Sequence, residues 1–350
     1  MHSRDVDRDA PVDGGSAEAG GSASGPPLLT VSDLSVAVRR RQRPLPVVRG
    51  VSFQLREGQT LVLLGESGSG KSVTALALMD LLPTGVEITG GQVEVASGSL
   101  RSLTPAARRR HIGSTMAMVF QDSISALNPV MRVGDQIAEA VRQRDGASRA
   151  QARERTIELM ARVRIPAAEQ RYHDFPHQFS GGMRQRIVIA IALALRPRLL
   201  IADEPTTALD VSVQAQILSL LAELQEESRM GLVLITHDLG VAATVADRVA
   251  VMYAGRIVEI TDADELFNRP VHPYTTGLFG SVPQMNGGGA DLRPIPGSPP
   301  SLVAIPPGCP FHPRCPLAVD RCRAQLPTLE NVSEGHAVAC HLSQEIVNAR

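Results

Sequence analysis

The octapeptide GESGSGKS at residues 65–72 constrains this chain more than any other stretch of its sequence. It fits the spacing G-x-x-x-x-G-K-[ST] and stands between the apolar run TLVLLG (60–65) and the helix-like SVTALALMDLL. A strand that runs into a glycine-rich turn and straight on into a helix satisfies all three pieces at once. Gly65, Gly68 and Gly70 allow backbone conformations that turn successive N–H groups inward onto phosphate oxygens. The helix beginning near Lys71 adds its positive N-terminal end. Lys71 has the reach to contact β- and γ-phosphates, and the Ser72 hydroxyl is placed to ligate Mg²⁺. Glu66, Ser67, Ser69 and Val73 complete the candidate phosphate-binding set.

The remainder of the chain reads as an α/β protein with a short addition at its end. Residues 1–27 are small, polar and Gly/Ser-rich and bury too little apolar surface to offset the entropy of ordering, so an unstructured tail is expected there. LLTVSDLSVAV (28–38) alternates like a strand and VVRGVSFQL (47–55) like its neighbour, which suggests an antiparallel element ahead of the phosphate loop. Helical periodicity dominates residues 122–195, as in VGDQIAEAVRQ and ARERTIELMARV. LLIADEP (199–205) and GLVLITHD (231–238) are apolar strands ending in polar turns, and VAVMYAGRIVEI (249–260) reads as two strands about a turn at Ala254-Gly255. A net charge of −1 argues against a surface built for nucleic acid. The longest apolar run, IVIAIALAL (187–195), is too short to span a bilayer, and no basic-then-apolar export signal opens the chain.

Asp203 and Glu204 stand at the end of the buried strand LLIADE. Alone, an acidic pair at a strand end is a solvated turn. Beside a phosphate loop it becomes a candidate site: Asp203 for Mg²⁺, and Glu204 to orient or deprotonate a water attacking the γ-phosphate. FSGGMRQR (179–186) lies between loop and acidic strand and resembles the signature of ATP-binding-cassette ATPases. Ser180, Gly181 and Gly182 open a helix there and offer a second anion site. The other motifs of that family follow in its order. Gln121 in VFQD matches the glutamine that senses Mg²⁺ and the attacking water, Asp210 in TALD the loop crossing the dimer interface, and His237 in LITHD the histidine that contacts the γ-phosphate.

The resemblance implies a RecA-like core, an antiparallel β subdomain and a helical signature subdomain, together covering residues 28–270. It also implies ATP and Mg²⁺ as ligands, and two cassettes that sandwich ATP, each signature closing on the nucleotide held by the other. One departure concerns the base. The family stacks adenine on an aromatic residue in its first strands, where this chain has Val38 followed by RRRQR (39–43). That run is either a solvated loop or a source of an arginine that stacks on the base.

FQDSISALNPVMRVGDQI and RPVHPYTTGLFGSVP (269–283) are similar to the ATPase subunits of dipeptide and oligopeptide importers. The resemblance places the chain on the cytoplasmic face of the cell membrane, under two permease subunits. It implies a second ATPase subunit, different from but related to this one, and an extracytoplasmic peptide-binding protein reached through the permease. Related importers for nickel or another small solute, and non-transport cassette proteins, are the rival readings. The latter carry two cassettes or a long coiled-coil insertion, and this chain has neither.

All four cysteines fall in the last part, expected to be a short irregular extension (271–350), as Cys309-x5-Cys315-x6-Cys322-x17-Cys340. Reducing conditions on the cytoplasmic side disfavour disulfides. A soft metal centre on four thiolates accounts for the clustering in a proline-dense segment. Zn²⁺ is one candidate, although its ligands usually pair as C-x₂₋₄-C. The importer extension that this segment resembles holds a [4Fe–4S] cluster in some members, which makes that the favoured centre. His312, His336 and His341 are close enough in sequence to stand in as ligands.

Overall fold

The strands Thr60–Leu64, Leu199–Asp203 and Gly231–Thr236 are buried at every position. Runs this continuous suit parallel strands covered on both faces. The structure, a computed structural model, describes residues 26–41, 43–122, 125–207, 209–281 and 294–350. In it an eight-stranded sheet runs in the order Glu330–Ser333, His336–Val338, Arg256–Asp262, Arg248–Tyr253, Thr60–Leu64, Gly231–Thr236, Leu199–Asp203, Met116–Val119. The last five of these are mutually parallel. The expected α/β architecture is present, and the tail expected over residues 1–27 lies outside the described residues except for Pro26 and Pro27.

Alternate residues of the central strands feed two cores. Val62, Leu64, Leu200, Ala202, Leu232 and Leu234 pack with Ile137, Leu159, Ile187 and Leu221 of the helices. Leu61, Leu63, Ile201, Val233 and Ile235 pack on the other side with Ala75 and Leu78 of the helix Lys71–Leu78. That second core also takes Leu29, Val31, Val51 and Phe53 from a four-stranded antiparallel sheet, ordered Leu45–Leu55, Leu29–Val38, Val86–Val95, Gly98–Ser99. The strand pair expected ahead of the phosphate loop is therefore real, and it forms one cover of the main sheet. Val133–Asp145, Arg149–Arg162 and Gly181–Ala194 make up the helical region, the middle one opened by a reciprocal cap between Ser148 and Gln151. Among the described residues no helix is long and apolar enough to cross a membrane.

The expected turn at Ala254-Gly255 is a two-residue hairpin with φ of 48° and 81°. Two successive positive φ values match the right-handed twist of the strands it joins. Gly255 could not carry a side chain, because a Cβ there would lie 2.2 Å from the Val47 carbonyl oxygen.

The C-terminal segment is more regular than its proline content suggests. The proline-dense stretch is largely irregular, but Glu330–Ser333 and His336–Val338 form a hairpin that pairs with the edge strand Arg256–Asp262, and Ser343–Asn348 is helical. An open edge with unpaired N–H and C=O groups is what makes this addition possible. Glu259, wholly buried in that edge strand, accepts from the backbone N–H groups of Val271 and His272 at 2.7 and 3.0 Å and meets His336 Nε2 at 2.9 Å. One carboxylate thus joins the sheet, the HPYT segment and the terminal hairpin. Phe311 adds an apolar anchor, its ring centroid 5.4 Å from those of both Tyr253 and Tyr274. Burying a side chain of that size contributes about 2–3 kcal/mol.

His272 caps the helix Pro273–Gly280 by accepting from the Tyr274 N–H. Complete burial lowers its pKa from the ordinary 6.5 to about 4, against the opposing pull of Glu259 and a bond to Ala339. A histidine held neutral binds fewer protons folded than unfolded, so stability is lost as pH falls through that window. In equilibrium unfolding, the native chain is expected to lose stability between pH 6.5 and about 4 more steeply than His272→Asn, which keeps a capping acceptor. Parallel curves for the two proteins would refute this.

Candidate functional site

The phosphate loop leaves the sheet at Leu64, and its shape is enforced by contact as well as by glycine. Gly65 has φ +154°, and a Cβ there would stand 2.3 Å from the Met252 carbonyl oxygen of the neighbouring strand. Gly68 and Gly70 also carry positive φ. Lys71 is buried, and its Nζ donates to the Gly65 and Glu66 carbonyl oxygens at 2.7 and 3.1 Å. Burial pulls its pKa down, with the carboxylates of Glu204, Asp203 and Glu66 opposing. Ser72 Oγ donates to Asp203 Oδ1 at 3.1 Å, although 131 residues separate them. Burial raises the Asp203 pKa and the Ser72 bond counters it. The hydroxyl and carboxylate predicted to share Mg²⁺ are thus adjacent across the ends of neighbouring elements, and both offer the oxygen donors that this ion prefers.

Glu204 is the hub of the opposite wall. It has φ 44°, a strained value for a non-glycine residue at a strand end, and its N–H donates to the Ile235 carbonyl. Gln121 Nε2 and Thr207 Oγ1 both donate to Glu204 Oε2 at 2.9 Å, and His237 Nδ1 lies 3.1 Å from Oε1. Burial alone would raise the Glu204 pKa. The bonds from His237 and Thr207, with the charges of His237 and Lys71, outweigh it and leave the pKa below the usual value. Gln121, Glu204 and His237, far apart in sequence, share one open cleft of about 920 Å³ with Gly65, Lys71, Ser72 and Val73.

Other expected residues fall elsewhere. Ser180, Gly181, Gly182 and Asp210 do not line that cleft. Ser180 caps the helix Gly181–Ala194 by accepting from the Met183 N–H, and Asp210 caps Val211–Ser228 by accepting from the Val213 N–H. Gly182 lies tight against that second helix, a Cβ there standing 2.4 Å from Val213 Cγ1. Val38 is also outside the cleft. Arg40, Arg41 and Arg43 line an adjoining cavity together with Arg49 and Arg256, and Leu302 borders both spaces.

Three residues of this site were not singled out from the sequence. Thr207 follows Glu204 by three positions, a spacing that could have been noticed. Tyr274 donates no obvious signal, yet its hydroxyl accepts from the Glu66 N–H at 2.9 Å. Arg314 pairs with the Glu66 carboxylate at 2.7 Å across 248 positions of sequence, which no local pattern reveals.

The cysteines form a loose neighbourhood. The Cys309 N–H donates to the Cys322 carbonyl at 2.8 Å. Burial pushes the Cys340 thiol up to about 11, and the charges of the other three cysteines add to the shift. Burial likewise raises Cys309 and Cys315. Among the described residues, however, no three His, Cys, Asp or Glu side chains are arranged to hold a metal ion. Each of the three histidines expected as substitute ligands has one ring nitrogen engaged: His312 Nδ1 contacts the Cys309 carbonyl, His341 Nε2 the Gln325 carbonyl, and His336 Nε2 Glu259.

Comparison with known proteins places this geometry in a family. The ABC transporter family profile matches residues 48–207, and that of the oligopeptide/dipeptide transporter C-terminal region matches 258–322. The chain is 47% identical over 319 residues to the dipeptide transport ATP-binding protein DppD of Bacillus subtilis, covering 91% of this chain and 95% of that one. It is 47% identical over 313 residues to the oligopeptide transport ATP-binding protein OppD of Salmonella typhimurium, covering 89% and 93%. Among solved structures, a dimeric post-hydrolysis state of the ATP-binding cassette MJ0796 bound to ADP and Pi has a TM-score of 0.60 at 26% identity, covering 67% of this chain and 98% of that one. The chain belongs to the ATP-binding-cassette family, in the branch of the dipeptide and oligopeptide transport ATP-binding proteins.

Proposed function

We propose that this chain binds and hydrolyses MgATP to power the import of di- and oligopeptides through membrane permease subunits. The observation that carries the proposal is the convergence of Gln121, Thr207 and His237 on Glu204 across a cleft from the phosphate loop. The amides of residues 65–72 receive the phosphates. Lys71 leaves its two carbonyl partners to reach the β- and γ-oxygens. Mg²⁺, when bound, neutralises phosphate charge, and Ser72 and Asp203 with Gln121 are the residues that would hold it. Glu204 orients the attacking water, and its depressed pKa suits a fixed negative charge better than a strong proton acceptor. His237 stands next to it, ready to contact the γ-phosphate.

The exposed start of the signature helix, outside the chain's own cleft, supports a sandwich in which Ser180, Gly181 and Gly182 of one cassette complete the site of another, with Asp210 near the crossing. The family resemblance points to a second, related cassette subunit as that partner, to a peptide-binding protein acting through the permease, and to a position on the cytoplasmic face of the membrane. The domain division follows the same reading: a cassette over residues 28–270 with its helical part at 122–195, then the extension.

The family resemblance and the wide spacing favour a polynuclear centre on the four cysteines over a single zinc ion, whose ligands usually pair as C-x₂₋₄-C. Among the described residues no group of three ligands is preformed for either. In a [4Fe–4S] cluster each thiolate binds a different iron, so four thiols need only surround a common space. The backbone bond from Cys309 to Cys322 brings two of the four together.

Glu204→Gln is expected to keep ATP binding while ATP turnover falls at least about 100-fold, read by phosphate release in a complex whose partner site is disabled. Undiminished release there would refute the role of Glu204. Lys71→Ala should instead lose nucleotide binding, measured with a fluorescent ATP analogue. Anaerobically purified protein is expected to contain iron and sulfide and to show visible absorption bleached by dithionite. Colourless protein with stoichiometric zinc would overturn the cluster.

A further inference from the structure

Glu66, the second residue of the phosphate loop, is tied three ways. Its carbonyl oxygen accepts from Lys71 Nζ at 3.1 Å. Its N–H donates to Tyr274 Oη at 2.9 Å. Its carboxylate receives a fork from Arg314, Nη1 to Oε2 at 2.7 Å and Nη2 to Oε1 at 3.0 Å. The first tie lies within the loop, whereas the other two come from beyond the cassette motifs.

Arg314 is built into the extension. It is only 6% exposed, and its Nε donates to the Pro296 carbonyl at 2.9 Å. Nη1 also reaches Tyr253 Oη at 3.3 Å, and the guanidinium lies over the rings of Tyr253 and Phe311. The bond to Glu66 raises its pKa further, so the guanidinium stays charged at any working pH. A forked pair of this kind holds direction as well as distance, and losing Glu66 leaves the buried Arg314 charge without compensation.

The arrangement matters most when nucleotide is bound. Lys71 has three N–H donors, and contacting both β- and γ-phosphate oxygens takes two of them, so it cannot also keep both the Gly65 and Glu66 carbonyls. Once the longer of those bonds, to Glu66, is given up, Glu66 keeps only the ties to Tyr274 and Arg314. We infer that Arg314 is a positioning residue for the nucleotide site: from the C-terminal extension it holds Glu66, and with it the loop amides, while Lys71 is engaged on phosphate. ATP affinity therefore depends on the docked extension, and by thermodynamic reciprocity bound ATP stiffens the extension around Arg314. The inference rests on the reading of the loop as the ATP site.

The test uses the full chain. MgATP affinity and turnover are measured for the native protein, Arg314→Lys, Arg314→Met, Glu66→Gln and the Arg314→Met/Glu66→Gln double variant. Hydrogen exchange of the 309–324 segment is followed with and without MgATP. Lysine keeps the charge but not the fork, and guards against a methionine variant that fails to fold. Each single variant is expected to weaken ATP binding about tenfold or more, and for the two Arg314 variants kcat at saturating ATP should stay within about twofold of native, because the Glu204 cluster is untouched. The double variant should be no weaker than the worse single one, since both remove one contact. MgATP should slow exchange in 309–324 of the native chain and lose that effect in Arg314→Lys. Native affinity in Arg314→Lys, strictly additive losses, or an exchange rate indifferent to ATP in a native chain that binds it would each overturn the inference. A native chain that binds no ATP would overturn the functional reading itself.

Discussion

Five parallel strands can lie side by side only if both faces are covered, because the three central ones are buried at every position and the outer two at nearly every one. That requirement organises the molecule. One cover is the helical region, the other the antiparallel sheet with the helix that follows the phosphate loop. With both faces closed, the polar ends of the strands are the remaining places where charged groups meet water. The phosphate loop, the Asp203–Glu204 pair and His237 all leave the sheet at such ends. The site is a consequence of how the core is closed.

The same logic explains the extension. Its proline-dense stretch has little apolar surface and few backbone donors, so it borrows structure from the core. A hairpin completes the sheet edge, Phe311 enters the aromatic group around Tyr253 and Tyr274, and Glu259 collects donors from two other segments. These contacts hold the segment in place without appeal to a metal. A centre on the cysteines would then constrain an extension that is already docked. The pairing of Arg314 with Glu66 is part of that docking and brings it to the edge of the nucleotide cleft.

Much of the cleft was legible because its chemistry is written locally. GESGSGKS needs its neighbours in sequence to make a cradle, and LLIADE needs only a strand to deliver its two acids. Gln121 and His237 were legible through family order, although only the fold shows that both converge on Glu204. Ser180 read correctly as a helix start, whereas Asp210, read as a loop residue at the dimer crossing, caps a helix of its own, and neither lines the cleft of its own chain. Each histidine near the cysteines turns one ring nitrogen to a partner that proximity in sequence did not reveal, a backbone carbonyl or Glu259.

The sequence by itself determined the strand–loop–helix unit, the acidic strand end and the family, since each rests on residues that are neighbours along the chain or recur in a set order. Tertiary structure alone decided the strain at Glu204, the wedge of Gly65 against Met252, the addition of the terminal hairpin and the fork from Arg314 to Glu66. Those features join residues as many as 248 positions apart, where no periodicity or spacing carries information, and they exist only once the two cores have brought the segments together.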